Sequence, residues 1–435
     1  MKLLFRTIFF IVFISSFQQI HAQSRCGTSQ YIKNELSQNI LLQRQYDAIN
    51  NQIYADAKTI ATQSSFNHAK ATTMKVRYVP VVVHILYDTI IHDISDAQAL
   101  SQIKILNDDY LAMNANLWKT QSVFTNRIGV SGIQFYIANK APNGVDTVAI
   151  IHKHTSTKTF PTNNLCKHNS SNGDDAWDTK KYFNIWVVRL NDPNILGFSS
   201  LPGTTLALSG NDGTVINCNN FGLSGLANSP YHLGRTATHE IGHFFGLQHT
   251  FEYGCAAEGD SIKDTPPVLD YNSGCSKGAN SCHNDSPDEI DMIENYMDYS
   301  DDDCMTMFSK GQVAVFQSVL HNFRDSLGYD STITFTTNIG MSDEFSNLNN
   351  TLNIYPNPCA DKLLINNYQS RTFGIVNTIE ITDILGRVLN KISIPKVQDQ
   401  YATFNIEVNE LPSGIYFIKA TDVNGITLNS KFVKQ

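Results

Sequence analysis

His239-Glu240-Ile241-Gly242-His243-Phe244-Phe245-Gly246-Leu247-Gln248-His249 repeats the pattern H-E-x-x-H-x-x-G-x-x-H. An α-helix advances about 100° per residue, so His239 and His243 stand one turn apart on one face, where two imidazoles reach one point. Gly246, three residues on, is free to take the left-handed conformation that ends a helix; the chain then turns back and brings His249 to the same point. Three neutral imidazoles plus one water make a catalytic zinc site. A zinc-bound water has its pKa lowered to about 7, and Glu240, next to the first ligand but not itself a ligand, is placed to take its proton and pass it to a leaving amine. Ordinary helix histidines would meet these five positions on the order of a few times in 10⁵ such chains. The string therefore predicts Zn2+ as cofactor and hydrolysis of peptide bonds in protein or peptide substrates.

Farther on, Glu294-Asn295-Tyr296-Met297-Asp298-Tyr299 follows at a distance that leaves room for an active-site loop. It resembles the Met-turn of metzincins, in which a methionine forms an apolar floor beneath the zinc and a tyrosine two residues on reaches the metal or the tetrahedral oxyanion. Met297 and Tyr299 stand in those places. Taken alone, a Met and a Tyr so close are core packing.

A chain of 435 residues holds two or three domains, and 42% hydrophobic content supplies a core. Its net charge of −8 argues against a nucleic-acid partner. Residues 1–22 read as a secretory signal, with Lys2 and Arg6, an apolar run from Ile8 to Ile14, and Ala22 before Gln23. The run is shorter than the ~20 apolar residues a membrane span needs, and no other segment is a candidate. The protein is expected to be secreted or attached to the cell surface by other means.

Export permits disulfides. Cys255, Cys275, Cys282 and Cys304 lie between the third histidine and the end of the Met-turn, where they would staple a long active-site loop in one of three pairings. A second zinc site is the competing reading, but the close Cys-x-x-Cys pairs of structural zinc are missing. Cys166 and Cys218 are expected to pair with one another.

Around this core the resemblance narrows. Leu233-Gly234-Arg235-Thr236-Ala237-Thr238 before the histidines, Gly259-Asp260-Ser261-Ile262-Lys263-Asp264-Thr265-Pro266 after them, the cysteines, and Asn295 to Tyr299 are similar to the pappalysin family of metzincins, in particular its bacterial, cytophagalysin-like branch. The likeness extends upstream through Val81-Val82-Val83-His84, Ile105-Leu106-Asn107-Asp108-Asp109-Tyr110 and Tyr182-Phe183-Asn184-Ile185-Trp186-Val187, so it covers residues 76–327. From the residues themselves, Val79 to Leu86 reads as a buried strand, Ala97 to Met113 as an amphipathic helix and Phe183 to Leu190 as a second apolar strand. This order fits an α/β (α+β) metzincin-type zincin domain.

The resemblance implies His239, His243 and His249 as zinc ligands, Glu240 as general base, Met297 as the floor and Tyr299 as transition-state stabiliser. It also implies that Asp303, immediately before Cys304, selects Arg or Lys on the primed side of the scissile bond; otherwise Asp303 is a solvated member of the acidic run Asp301 to Asp303. Structural Ca2+ is implied too, with the oxygen-rich stretch from Glu258 to Thr265 as its place, although no EF-hand-like spacing is present.

Cys26, in Arg25-Cys26-Gly27-Thr28, resembles a cysteine switch, in which a thiolate takes the water's coordination position and keeps an enzyme latent. The alternative is a disulfide to Cys166, Cys218 or Cys359. Residues 23–75 are then the propeptide, a Gln-, Asn-, Lys- and Ala-rich stretch that suits a removable segment better than a core. Lys75 or Arg77 are the expected self-cleavage points.

After Leu327 the helical signal stops, and residues 328–350 read as a polar linker. Residues 351–435 show short alternating segments at Thr378 to Ile384, Thr403 to Val408, Ile415 to Ala420 and Ile426 to Val433, which predict an all-β sandwich. Ile354-Tyr355-Pro356-Asn357-Pro358, Asp383-Ile384-Leu385-Gly386-Arg387 and Ser413-Gly414-Ile415-Tyr416-Phe417 resemble the C-terminal sorting domain of the type IX secretion route, which implies outer-membrane secretion machinery as a partner. The alternative for this domain is a carbohydrate- or protein-binding module. For the whole chain the alternative is a secreted adhesin that keeps the fold and uses zinc structurally, but such a protein needs neither Glu240 nor Tyr299.

Overall fold

The computed structural model describes residues 25–434 apart from 38–39, 67–72, 203–209, 224, 257–258, 284–287, 335–351, 356–358, 367–375, 384–385, 395–402 and 423–426. The expected signal peptide and most of the expected linker lie outside the described residues, and among these no helix is long and apolar enough to cross a membrane.

Two helices come first, α1 (Thr28–Ser37) and α2 (Ile40–Phe66). The chain then enters β1 (Thr73–Tyr87), whose Val79, Val81, Val82, Val83 and Ile85 are wholly buried, as a strand covered on both faces requires. Helix α3 (Asp96–Tyr110), capped by the Ser95 side chain, packs on one face. Strands β2 (Ile133–Ile137), β3 (Ile150–His154), β4 (Phe183–Val188), β5 (Gly197–Ser199) and β6 (Thr214–Asn217) follow. The sheet runs β2-β1-β4-β6-β5, with β3 also on β1; β5 is the edge and is antiparallel to β6. Helix α4 (Arg235–Phe244) carries the first two histidines, and α5 (Lys310–Asn322) begins with a capping box between Ser309 and Gln312.

Alternation along the strands divides the core. Ile185, Val187 and Ile216 face α3, α4 and α5, whereas Trp186, Val188 and Val215 face the opposite side with residues of α1. The N-terminal segment is no loose appendage: Ile53, Tyr54 and Ala57 of α2 join the first core, and Tyr31, Ile32 and Leu36 of α1 join the second. Periodicity in a polar helix understates this, because a few buried positions suffice to anchor 27 residues.

Two boundaries differ from expectation. The sheet begins at Thr73 and ends in β7 (Tyr329–Thr334), which pairs antiparallel with Thr73–Tyr78 of β1. The start of the expected linker is therefore a strand of the catalytic sheet, since its Ser and Thr residues serve a β-ladder as readily as a linker. Cys166 and Cys218 do not pair, because they lie in the two cores on opposite faces of the sheet.

The C-terminal part is all antiparallel: β8 (Asn353–Tyr355), β9 (Lys362–Asn366), β10 (Val376–Thr382), β11 (Val388–Ser393), β12 (Thr403–Glu407), β13 (Gly414–Asp422) and β14 (Thr427–Lys434). Sheets β11-β10-β13-β14 and β12-β9-β8 enclose their own core of Leu363, Ile365, Ile379, Ile418 and Phe432, as a β-sandwich does.

Candidate active site

Every residue of α4 is buried, so a helix with two histidines and a glutamate is held inside the protein. At its end Gly246 has φ +90°, and a Cβ there would meet Val319 at 2.9 Å; both facts require glycine where the chain turns toward His249. His239 Nδ1 donates to the Tyr296 carbonyl at 2.6 Å and His243 Nδ1 to the Leu247 carbonyl at 2.7 Å. His249 Nδ1 lies 3.1 Å from Glu252 Oε2. Carbonyl and carboxylate acceptors fix the protons on Nδ1 and leave the Nε2 lone pairs facing inward. Nε2 of His243 and of His249 are 3.1 Å apart, and His239 Nε2 is buried with no partner. Acceptors facing one another repel unless a cation lies between them, and tetrahedral zinc would hold its nitrogens ~3.3 Å apart. Burial, then the neighbouring His249, holds His239 down at about 3 and His243 well below the usual imidazole range, so both stay neutral as metal ligands must. The donor set fits zinc.

A fourth donor is present. Cys26 Sγ lies with the three histidine nitrogens in one group whose ligand atoms are all within 4.8 Å of one another. The thiol also approaches Glu240 Oε2 at 3.4 Å, and the Thr28 hydroxyl donates to the same oxygen at 2.7 Å. Cys26 thus faces the histidines instead of bonding Cys166, Cys218 or Cys359. Burial pushes Glu240 up to about 8, against the pull of the Thr28 and Cys26 hydrogen bonds.

The segment carrying Cys26 lies parallel along the edge strand. Leu196 N donates to the Arg25 carbonyl at 2.8 Å and Gly27 N to the Gly197 carbonyl at 2.8 Å. Gly197 leaves room, since a Cβ there would meet the Glu240 side chain at 2.9 Å. Arg25 enters a pocket lined by Tyr231, Asp298, Tyr299 and Asp302. Its guanidinium stacks over Tyr231 at 4.3 Å, donates to the Tyr299 carbonyl and lies 3.9 Å from Asp301. Asp303 does not face this pocket: its side chain is 61% exposed and lies 3.6 Å from Lys119. Cys304 pairs with Cys275, and in the turn before it Asp301 lies beside Arg25, Asp302 is buried and Asp303 faces solvent.

Met297 is wholly buried beneath α4, against Gly242, where any Cβ would strike its sulfur. The Tyr299 hydroxyl lies 3.3 Å from His249 Nε2. Two bonds brace the loop between them, Cys255–Cys282 and Cys275–Cys304. Asp298 ties the loop to the Met-turn by accepting Asn272 N and Nδ2 at 2.8 Å each. Of the stretch expected to bind calcium, Glu258 lies outside the described residues, and Asp260 Oδ1 is engaged by Ile262 N and Thr265. Among the described residues the histidine group is the one cluster of metal donors, and no calcium site is assigned.

Asp109, which no motif in the sequence singles out, belongs to the site. This α3 carboxylate accepts the Thr238 hydroxyl at 2.6 Å and the Tyr296 hydroxyl at 2.9 Å, and faces Arg235 at 3.3 Å. It ties the zinc helix to the segment whose carbonyl holds His239. The available signal was an acid three residues beyond Leu106, on the helix's apolar face. Gln312 belongs to it as well; it exchanges two amide hydrogen bonds with Asn295, whose Oδ1 also accepts Met297 N.

A mixed sheet with an antiparallel edge, a buried helix bearing two histidines, a glycine turn to a third and a methionine beneath them define a metzincin-type metallopeptidase. Residues 167–321 match the M43 peptidase model, described as pregnancy-associated plasma protein-A, and residues 353–435 match the secretion system C-terminal sorting domain. The chain belongs to the M43, or pappalysin, family of zinc metalloendopeptidases. It is 34% identical over 233 residues to an extracellular metalloprotease of Pyricularia oryzae, covering 53% of this chain and 69% of that one. Mature mirolysin of Tannerella forsythia, solved with a cleaved peptide, is 40% identical over 58% of this chain and 96% of its own, with a TM-score of 0.54. A variant of promirolysin is 35% identical over 70% of this chain and 97% of its own, with a TM-score of 0.60. The protein is an extracellular metalloprotease, secreted or held at the cell surface, with a type IX sorting domain at its C-terminal end.

Proposed function

We propose that the chain is made as a latent zymogen, and that release of its N-terminal segment yields an endopeptidase that uses Glu240 as base and favours a basic residue on the primed side. The observation that carries this reading is the Cys26 thiol at the focus of three histidines, with Arg25 seated in the adjoining pocket. Promirolysin matches 70% of the chain and mature mirolysin 58%, a difference of about 52 residues, close to the length of residues 23–75, which supports a removable segment.

His239, His243 and His249 would hold zinc, with Cys26 completing the set in the latent form. When bound, the metal lowers the pKa of a coordinated water toward ~7 and polarises a peptide carbonyl. Glu240, freed of Cys26 and Thr28, accepts a proton and returns it to the departing amine. The Tyr299 hydroxyl, beside His249, donates to the oxygen on which charge develops. Leu196 N and the Gly197 carbonyl, which the segment occupies, are left for the substrate main chain. In the pocket of Arg25, Asp301 supplies charge and Tyr231 a ring face that suits planar guanidinium better than ammonium, so Arg is preferred over Lys.

The test uses matured protein on peptides bearing Arg, Lys or Leu after the scissile bond, with and without chelator. Chelator is expected to abolish cleavage, Glu240→Ala to lower kcat by at least ~10³, and Asp301→Asn to narrow the gap between Arg and Leu. Absence of chelator-sensitive cleavage would end the protease reading. The uncleaved Cys26→Ala chain is expected to be active where the wild-type zymogen is silent; equal silence would end the latency reading.

A further inference from the structure

The Cys26 segment does not end at the cleft. It winds into α1, and within one turn Tyr31 is carried over the edge strand to the sheet's far side, where it is 1% exposed. Its pocket is built by the catalytic part of the chain. The ring lies 5.1 Å from that of Phe198, and the hydroxyl donates to Asn164 Oδ1 at 2.8 Å. Beside it Lys167 is wholly buried, with Nζ 5.4 Å from the Tyr31 ring, 5.3 Å from Trp186 and 5.6 Å from Phe198. Nζ donates to the Asn211 carbonyl at 2.6 Å. A buried ammonium is costly unless its charge is answered, and here three ring faces and a carbonyl answer it. One of those rings belongs to the segment that is released.

We propose that this pocket is a second binding site of the mature protease, one that takes an aromatic side chain from the unprimed part of a polypeptide substrate, with Tyr31 as its occupant in the uncleaved chain. The proposal rests on the reading of α1 as part of a removable segment. Arg25 and Tyr31 lie on opposite sides of Cys26 along the chain, so if Arg25 marks the primed side, Tyr31 marks the unprimed side. Cleft and pocket are spanned by one continuous run of backbone from Arg25 to Tyr31, helical from Thr28 and opposite in direction to a substrate, so the two sites lie within reach of a single short polypeptide. The chemistry sets a ranking. Lys167 favours an electron-rich ring over an aliphatic side chain, and Asn164 favours a phenol over Phe.

The experiment measures kcat/KM of the matured enzyme on one Arg-directed peptide in which Tyr, Phe or Leu is placed in turn at each of the first six unprimed positions. At one position Tyr is expected to exceed Leu by at least about threefold, with Phe between them, and Lys167→Met to bring the Tyr-to-Leu ratio close to one. If all peptides are cleaved in a chelator-sensitive way and no position distinguishes Tyr from Leu, the pocket proposal is overturned and the protease reading stands. If no peptide is cleaved, both fall. Because the Lys167→Met chain can fail to fold, a second measurement uses wild-type enzyme with the synthetic segment Arg25 to Ser37 as inhibitor. Its Tyr31→Leu form is expected to be at least threefold weaker, and equal potency overturns the proposal.

Discussion

At Asp109 one carboxylate, 1% exposed, joins three groups from two elements: Arg235 and Thr238 on the zinc helix and the Tyr296 hydroxyl on the Met-turn. Burial pushes its pKa up to about 6, and Arg235 pulls it back. Asp109→Ala strands a buried guanidinium, so stability is expected to fall by about 3–5 kcal/mol in denaturant unfolding, with weaker zinc retention in dialysis against chelator. Asp109→Asn keeps hydrogen-bonding capacity and should fall between; an Ala variant as stable as wild type would refute the tether. Lys167 gives a pH test. Burial lowers its pKa to about 8 from an ordinary value of about 10.4. Between those values the unfolded chain binds more protons than the folded one, so Lys167 makes the zymogen more stable as pH rises from about 8 to 10, by about 1.4 kcal/mol for each unit of displacement. Lys167→Met should remove that rise; identical slopes in the two proteins would show that the ammonium is not penalised. That His239, His243, His249, Glu240 and Tyr299 lie together was legible in the sequence, because a shared metal fixes the spacing of its ligands. Asp109, Arg25, Tyr231 and Asp301 were not, because each acts across a tertiary contact that spacing does not encode.

Among the elements, the turn at Gly246 shows what local sequence does encode. Its left-handed backbone was foreseen from the histidine string, and the contact with Val319 of α5 was not. Gly246→Ala is expected to cost about 2 kcal/mol or more, from the left-handed backbone and the overlap together, and to lower zinc content because His249 follows the turn. Thermal unfolding and metal analysis check both, and an Ala variant with full zinc content would show that the turn does not place His249. The helix read as Ala97 to Met113 lies within three residues of its limits, Asp96–Tyr110, and Val79 to Leu86 captures the apolar half of β1 but not its start at Thr73, because only the apolar half carries a strong signal. Ser331 to Thr334 was misread as linker because a β-branched polar run has no apolar period. Asp303 was misplaced for a different reason: within a turn, two positions separate the aspartate beside Arg25 from the one that faces solvent.

At the scale of the molecule, the two ends of the catalytic sheet hold each other. Lys75 and Arg77, the expected maturation points, lie within β1, and the Thr73–Tyr78 stretch is laddered to β7. Arg77 also pairs with Asp330 at 2.6 Å and donates to the carbonyls of Asp325 at 2.8 Å and Leu327 at 3.2 Å. A protease binds its substrate as an extended chain whose main-chain groups are free, so a strand already paired on one edge is protected until the ladder opens. Strand β7 precedes the sorting domain in the chain, and while it stays paired it covers this edge of β1 whether or not that domain is released. A chain ending at residue 327 is therefore expected to be cut after Lys75 faster than the full chain under limiting trypsin, with less gain at Arg77, which is also laddered to Ile133 of β2. The gain at Lys75 should be at least about tenfold, since each 1.4 kcal/mol taken from the opening free energy raises the open population by that factor. Mass spectrometry of the new N-termini gives the rates, and thermal unfolding shows whether the shortened chain stays folded. With folding intact, equal rates would mean that β7 does not guard the site.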